Sequence, residues 1–123
     1  MATIKSYTDS EQSKKLAEIL PLESADMSWV SNGLGKPFAR TIPIKGDPEE
    51  LCGCWSLAAL ISILPQSIKF KGDNYYLRFM KEYIEYANDE ISITGRCLHT
   101  TGNDNLVDAC YEMIIKLNGL NLL

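Results

Sequence analysis

The sequence predicts an α+β fold in which a small, mostly antiparallel sheet carries three helices, as in an α-β-α sandwich. Three segments combine a capping signal with apolar residues at helical spacing. Between them lie short segments in which apolar and polar residues alternate, as half-buried strands do. With 123 residues and no internal repeat or low-complexity linker, the chain is expected to form a single domain over residues 1–123.

The first helix signal is the sequence Thr8-Asp9-Ser10-Glu11, which matches a capping box. In such a box the Thr8 side chain bonds the backbone amide of Glu11, and the Glu11 side chain bonds the backbone amide of Thr8. Leu16, Ile19 and Leu20 follow as an apolar stripe, and Pro21 is expected to end the helix.

The second helix is expected to open at Asp47-Pro48, with an acidic N-cap and proline at the first helical position, and to end at Leu64 before Pro65. The third is expected to begin at Asn103 or Asp104 and to end at Gly119. Apolar residues of these two helices are the predicted core: Leu57, Leu60, Ile61, Leu64, Leu106, Val107, Cys110, Ile114 and Leu117.

Strand signals fill the intervening segments, and a hairpin is predicted to turn at Gly72-Asp73-Asn74. Residues 81–90 fit both a helix and a strand, because Met80, Tyr83, Ile84 and Ala87 have helical spacing while Tyr83 and Ile84 also suit a strand. The predicted strands are Met27–Val30, Phe38–Ile44, Ser67–Lys71, Tyr75–Met80 and Ile91–Thr94.

Composition narrows the classes of partner. The net charge of −4 makes nucleic acid an unfavoured partner, although basic and aromatic residues interleave between Lys69 and Lys81. No apolar run reaches the length of a membrane span, and the N-terminus lacks the apolar core of a secretory signal. A cytoplasmic location with reduced cysteines is therefore expected. The apolar tail Leu120–Leu123 leaves a homodimer open.

Cys54 and His99 are the candidate catalytic residues. Gly53-Cys54-Trp55-Ser56 resembles the nucleophile region of papain-like peptidases, and cysteine precedes histidine as in small peptidoglycan amidases. Such a hydrolase needs a stabilised thiolate, a histidine within reach and a third polar group, for which Asn103 or Asp104 is available. Against this, no glutamine shortly precedes Cys54, and a helix from Asp47 would place Cys54 about two turns inside.

A zinc site is the second alternative, because Cys52, Cys54, Cys97 and His99 together make a Cys3His ligand set. Each pair has one intervening residue, whereas zinc knuckles usually have two to four. The expectation is therefore that the chain holds no metal and no cofactor.

Two blocks carry a resemblance to known sequences. Residues Cys54–Leu60 with Leu64-Pro65, and Asp104–Ile114 with Lys116-Leu117, resemble small proteins of gut Bacteroides and their phages or prophages, for which no function is established. The resemblance implies an accessory protein of mobile-element origin and carries no active site. A non-enzymatic protein that acts through protein–protein contacts is therefore expected, with a cysteine hydrolase using Cys54 and His99 as the alternative.

Overall fold

A computed structural model describes residues 5–31, 37–40, 50–79, 83–88, 97–102 and 105–123, and of Glu50, Tyr83 and residues 97–102 it describes the backbone. The α+β class and the antiparallel strand pairing are confirmed, and the structure contains a helix in each of the three predicted regions. In chain order the elements are α1 (Ser10–Ile19), a 3-10 helix (Leu22–Ser24), β1 (Met27–Val30), β2 (Phe38–Arg40), β3 (Glu50–Cys54), α2 (Leu57–Ile63), β4 (Ser67–Phe70), β5 (Asp73–Phe79), β6 (Tyr83–Ala87), β7 (Cys97–Gly102) and α3 (Leu106–Gly119).

The described strands form two antiparallel sheets where the sequence predicted one. The first sheet has the order β2-β1-β3, and the second is a meander in the order β4-β5-β6-β7. The chain leaves the first sheet at Cys54 and passes through α2 before it enters the second at Ser67. Helix α1 packs on β3. Helix α3 packs on β6 and β7 and also contacts α1 and α2.

The predicted second helix is wrong over residues 50–56. Residues Glu50–Cys54 form β3, which pairs with β1, and helix α2 starts only at Leu57. Ser56 is the N-cap, its Oγ accepting from the Ala59 amide at 3.2 Å. Gly53 permits the pairing, because a β-carbon there would lie 2.9 Å from the Ala25 Cβ. The predicted start at Asp47-Pro48 lies outside the described residues, and the helix ends before Pro65 as predicted.

The first and third helices are confirmed, with shifted caps. In α1 the capping box is formed by Asp9 and Gln12 rather than by Thr8 and Glu11. In α3 the N-cap is Asn105, while the predicted starts at Asn103 and Asp104 lie outside the described residues.

The C-terminus of α3 is closed by Asn121 rather than by Gly119. Asn121 has a φ of 58°, and the Leu122 amide bonds the Leu117 carbonyl at 2.9 Å, as in a Schellman motif. Leu122 thereby packs against the core of its own domain.

The β4–β5 hairpin is confirmed, but the predicted turn was shifted: Lys71 and Gly72, both with positive φ, form it, while Asp73 and Asn74 belong to β5. Residues 83–87 form a strand, and Ile84 and Tyr86 are buried on one face of it; of the ambiguous segment 81–90, positions 81, 82, 89 and 90 lie outside the described residues. Strand β7 was not predicted, whereas the predicted strand Ile91–Thr94 lies outside the described residues. Of the predicted strand Phe38–Ile44, the described part is β2.

The core joins α2, α3 and the second sheet. Six of the nine predicted core residues are buried, Leu57 and Leu106 are partly buried, and Ile61 was wrong because 37% of it is exposed. Leu16 of the predicted α1 stripe is also buried in the core, and Trp55, Met113, Ile84 and Tyr86 are among the core residues that were not predicted. Among the helices described, none has the length and apolar character needed to cross a membrane. The six confirmed core residues are Leu60, Leu64, Val107, Cys110, Ile114 and Leu117.

Candidate functional site

Cys54 ends strand β3 and is fully buried. Its Sγ donates to the Thr8 carbonyl oxygen at 3.4 Å and lies 3.8 Å from the Thr8 hydroxyl. Burial raises the pKa of the Cys54 thiol, and the hydroxyls of Thr8 and Ser13 offset this only in part. Cys54 is therefore a neutral, hydrogen-bonded thiol, which is the opposite of the exposed, low-pKa environment that activates a cysteine nucleophile.

Of His99, the second catalytic candidate, the structure describes the backbone. His99 lies on β7 and pairs with Tyr86 in the four-stranded sheet, whereas Cys54 belongs to the three-stranded sheet. Asn103 and Asp104 lie outside the described residues. The Cys54–His99 pairing accordingly stays a prediction. The argument that Cys54 sits two turns inside a helix was wrong, because Cys54 precedes the N-cap of α2.

The zinc candidates occupy two different strands. Cys52 and Cys54 are two residues apart on β3 and so share one face of that strand. Cys97 lies on β7 and pairs with Ala87 of β6. Within the described residues no three histidine, cysteine, aspartate or glutamate side chains come together as a metal site, and Cys52, Cys54 and Cys110 form no disulfide bond.

A buried polar cluster surrounds Cys54, and we call Thr8, Ser13 and Cys54 the hydroxyl–thiol cluster. The Oγ atoms of Thr8 and Ser13 lie 2.7 Å apart, and both side chains are fully buried. The Trp55 amide donates to Thr8 Oγ1 at 3.1 Å. The Trp29 indole N–H donates to Ser13 Oγ at 3.0 Å and to the Thr8 carbonyl at 3.2 Å. The cluster thus fixes the orientation of Trp29.

Above this cluster the surface opens into a cleft of about 250 Å³ lined by Lys5, Ser6, Tyr7, Asp9 and Trp29. The rings of Tyr7 and Trp29 meet edge to face, with centroids 6.1 Å apart and planes at 69°. Tyr7 is 38% exposed and Trp29 is half-buried. The cleft therefore presents aromatic surface to solvent beside a carboxylate.

Two lining residues of the cleft, Lys5 and Asp9, belong to an ion-pair network that extends to Gln12 and Asp108. Lys5 Nζ donates to Asp108 Oδ1 at 2.7 Å, to Gln12 Oε1 at 2.9 Å and to Asp9 Oδ2 at 3.3 Å. Burial acts to lower the pKa of Lys5, but Asp108 and Asp9 outweigh it and raise the pKa above 10.5. Burial acts to raise the pKa of Asp108, but bonds from Lys5, Gln12 and Asn105 lower it below 3.8. Both groups are charged at neutral pH.

No family model, curated protein or solved structure matches this chain. The resemblance to Bacteroides and phage proteins accordingly stays a prediction, and the function must be argued from the cleft and the cluster themselves.

Sequence reasoning did not single out the cleft. Lys5 and Tyr7 come from one segment and Trp29 from another, and the two are brought together by the pairing of residues 6–8 with residues 55–57 and by the bond from the Trp29 indole to the Thr8 carbonyl. Two local features were available in the sequence. One is the tryptophan of a short strand, and the other, 21 residues earlier at Thr8, is a capping signal with a lysine and a tyrosine just before it.

Proposed function

We propose that this chain is a non-enzymatic accessory protein that acts through protein–protein contacts, of the mobile-element origin that the sequence resemblance implies. The observation that carries the proposal is the pair of rings, Tyr7 and Trp29, that opens to solvent in the cleft. Tyrosine and tryptophan are enriched at the energetic centres of protein interfaces, because each offers a large apolar face with a polar end.

The state of Cys54 supports a binding role over the hydrolase alternative. A cysteine hydrolase needs a thiolate that a substrate can reach. Cys54 is fully buried, donates its S–H to the Thr8 carbonyl and has a raised pKa. These properties suit a small buried residue that packs and donates a weak hydrogen bond.

The rigidity of the cleft also supports the proposal. On one side of Tyr7 the Thr8 amide bonds the Trp55 carbonyl at 2.9 Å, and on the other the Leu57 amide bonds the Ser6 carbonyl at 3.0 Å. Trp29 is held by two acceptors. A surface that is already ordered loses less conformational entropy when a partner binds, so the same contact area yields a higher affinity.

Site-specific photo-crosslinking in the source cells tests the proposal. A benzophenone amino acid replaces Tyr7 in the full chain, and the matched control replaces Tyr76, a tyrosine on β5 with a similar exposure of 42% against 38%. We expect a protein adduct from position 7 that is absent from position 76. If position 7 gives no adduct, or the same adducts as position 76, the cleft is not a protein-binding surface and the proposal fails. A crosslink to a second copy of the chain would identify the homodimer as the contact.

A further inference from the structure

The polar groups of the cleft differ in what they can still offer to a ligand. An ammonium group has three N–H donors, and Lys5 directs them to Asp108, Gln12 and Asp9. Lys5 therefore has no donor left for an incoming anion unless one of these bonds breaks. The Ser6 carbonyl is likewise engaged by the Leu57 amide.

Asp9 is the group with spare capacity. Its Oδ1 accepts from the Gln12 amide at 2.8 Å, and its Oδ2 accepts the longest of the three Lys5 bonds, 3.3 Å. Each carboxylate oxygen has two lone pairs, and the side chain is 53% exposed. Asp9 can thus accept further hydrogen bonds from a molecule in the cleft.

The charges in the cleft and in the ion-pair network of Lys5 also favour a hydrogen-bond donor as the ligand. The network holds one cation, Lys5, against two carboxylates, Asp9 and Asp108, and the whole chain carries a charge of −4. The positive end of α1 does not reverse this balance, because the Asp9 carboxylate already caps it. A cation is therefore favoured over an anion.

We infer that the cleft takes a cationic side chain, arginine or lysine, from an exposed segment of a partner protein. Its N–H groups bond Asp9, and its charge lies against the rings of Tyr7 and Trp29. A guanidinium fits this arrangement best, because it is planar and can stack on a ring while it donates from its edge. The inference rests on the proposed protein-binding function and specifies the chemistry of the partner.

Titration of the full chain with two small probes tests this chemistry without the partner. The probes are N-acetyl-arginine amide and N-acetyl-glutamate amide, and the readout is the NMR signal of the Trp29 indole N–H together with the amides of residues 5–9. We expect saturable shifts with the arginine probe in the millimolar range and weaker or no shifts with the glutamate probe. No saturable shift with the arginine probe, or tighter binding of the glutamate probe, would overturn the inference.

The Asp9→Asn variant tests the carboxylate. Asparagine is as good an N-cap as aspartate, so α1 should be retained. We expect the dissociation constant of the arginine probe to rise about two- to fivefold, the range of a solvent-exposed ion pair. The control is Glu11→Gln, which removes a carboxylate from the same exposed turn of α1 but outside the cleft and should leave the affinity unchanged. Equal effects of the two variants would show that net charge, rather than the cleft, attracts the probe.

The two proposals fail in different experiments. If position 7 crosslinks to a protein but the arginine probe does not bind, the cleft contacts a partner through other chemistry and only the cationic inference falls. If the arginine probe binds but position 7 gives no protein adduct, the protein-binding function falls, and with it the identification of the cation as a partner's side chain.

Discussion

The buried hydroxyl of Thr8 gives the sharpest test of how the structure is held together. In Thr8→Val the side chain keeps its shape and loses its hydroxyl, so the Trp55 amide and the Ser13 hydroxyl each lose a partner. Thr8, Ser13 and Trp55 are all fully buried, and water cannot replace the lost bonds. An unpaired buried amide costs about 1–3 kcal/mol, and the Ser13 bond adds about 0.5–1.5 kcal/mol. We expect a loss of about 1.5–4.5 kcal/mol in the free energy of unfolding.

Thermal unfolding measured by circular dichroism reports this loss. For a chain of 123 residues the entropy of unfolding makes 1 kcal/mol equivalent to about 4 °C, so Tm should fall by roughly 6–18 °C. The control is Ser67→Ala, which removes an exposed hydroxyl from β4 and should change stability by less than about 0.5 kcal/mol. If the Tm of Thr8→Val equals that of the Ser67→Ala control, the hydroxyl–thiol cluster does not anchor the N-terminal segment.

A double-mutant cycle separates the two bonds. Ser13→Ala removes the acceptor of the Trp29 indole as well as the partner of Thr8. Because Thr8 and Ser13 share one bond, the double variant should lose less stability than the sum of the single variants, by about 0.5 kcal/mol or more. Strict additivity would mean that the bond between the two hydroxyls contributes nothing.

Three further predictions concern the core, the ion pair and the thiols. Leu60→Asp should abolish cooperative unfolding, since it buries an unpaired charge in a fully buried site; a wild-type Tm would refute the α2 assignment. Burial acts to raise the pKa of the Asp108 carboxyl, but its bonds, that from Lys5 first, keep the folded pKa below the ordinary 3.8. The stabilisation that the ionised carboxyl gives to the fold is therefore present above pH 3.8 and is lost as pH falls through the folded pKa. Between pH 7 and pH 3 the urea midpoint of wild type should therefore fall more than that of Asp108→Asn; equal falls would contradict the network. Cys54 and Cys110, whose pKa values burial raises (that of Cys110 to about 11), should react slowly with a chromogenic disulfide until urea is added, and a fast Cys54 would restore the hydrolase alternative.

The elements that the sequence predicted well are those with local signals. Helix α3 has an amphipathic stripe and a capping residue within its own segment, and the β4–β5 hairpin has alternation and a glycine at its turn. A cap or a turn depends on residues three or four positions apart, so the sequence alone can indicate it. Its precise position is less certain, as the shift from Thr8 to Asp9 in α1 shows: Thr8 is a good cap by type, but its hydroxyl is engaged by Trp55.

Strand β3 could not be predicted, because the interactions that form it are not local. Residues 51–64 are apolar on nearly every side, which fits a buried helix as well as a strand followed by a helix. What decides the structure is the pairing of Cys52 with Trp29 and of Gly53 with Ser28. The candidate site was missed for the same reason, since Thr8 and Cys54 are far apart in the chain and nothing near either residue indicates the other.

The N-terminal segment has two roles, and they fall on different side chains. Thr8 is buried and bonds Cys54 of β3 and the adjacent Trp55 amide. Lys5 donates to Asp108 of α3, which follows it by 103 residues in the sequence. Tyr7, between them, points to solvent and is held by backbone bonds that its own side chain does not make. Changing Thr8 or Lys5 therefore alters stability and the shape of the cleft together. Tyr7→Ala removes a ring from the cleft and leaves those bonds in place, so a loss of binding at an unchanged Tm in that variant would assign the aromatic surface to recognition.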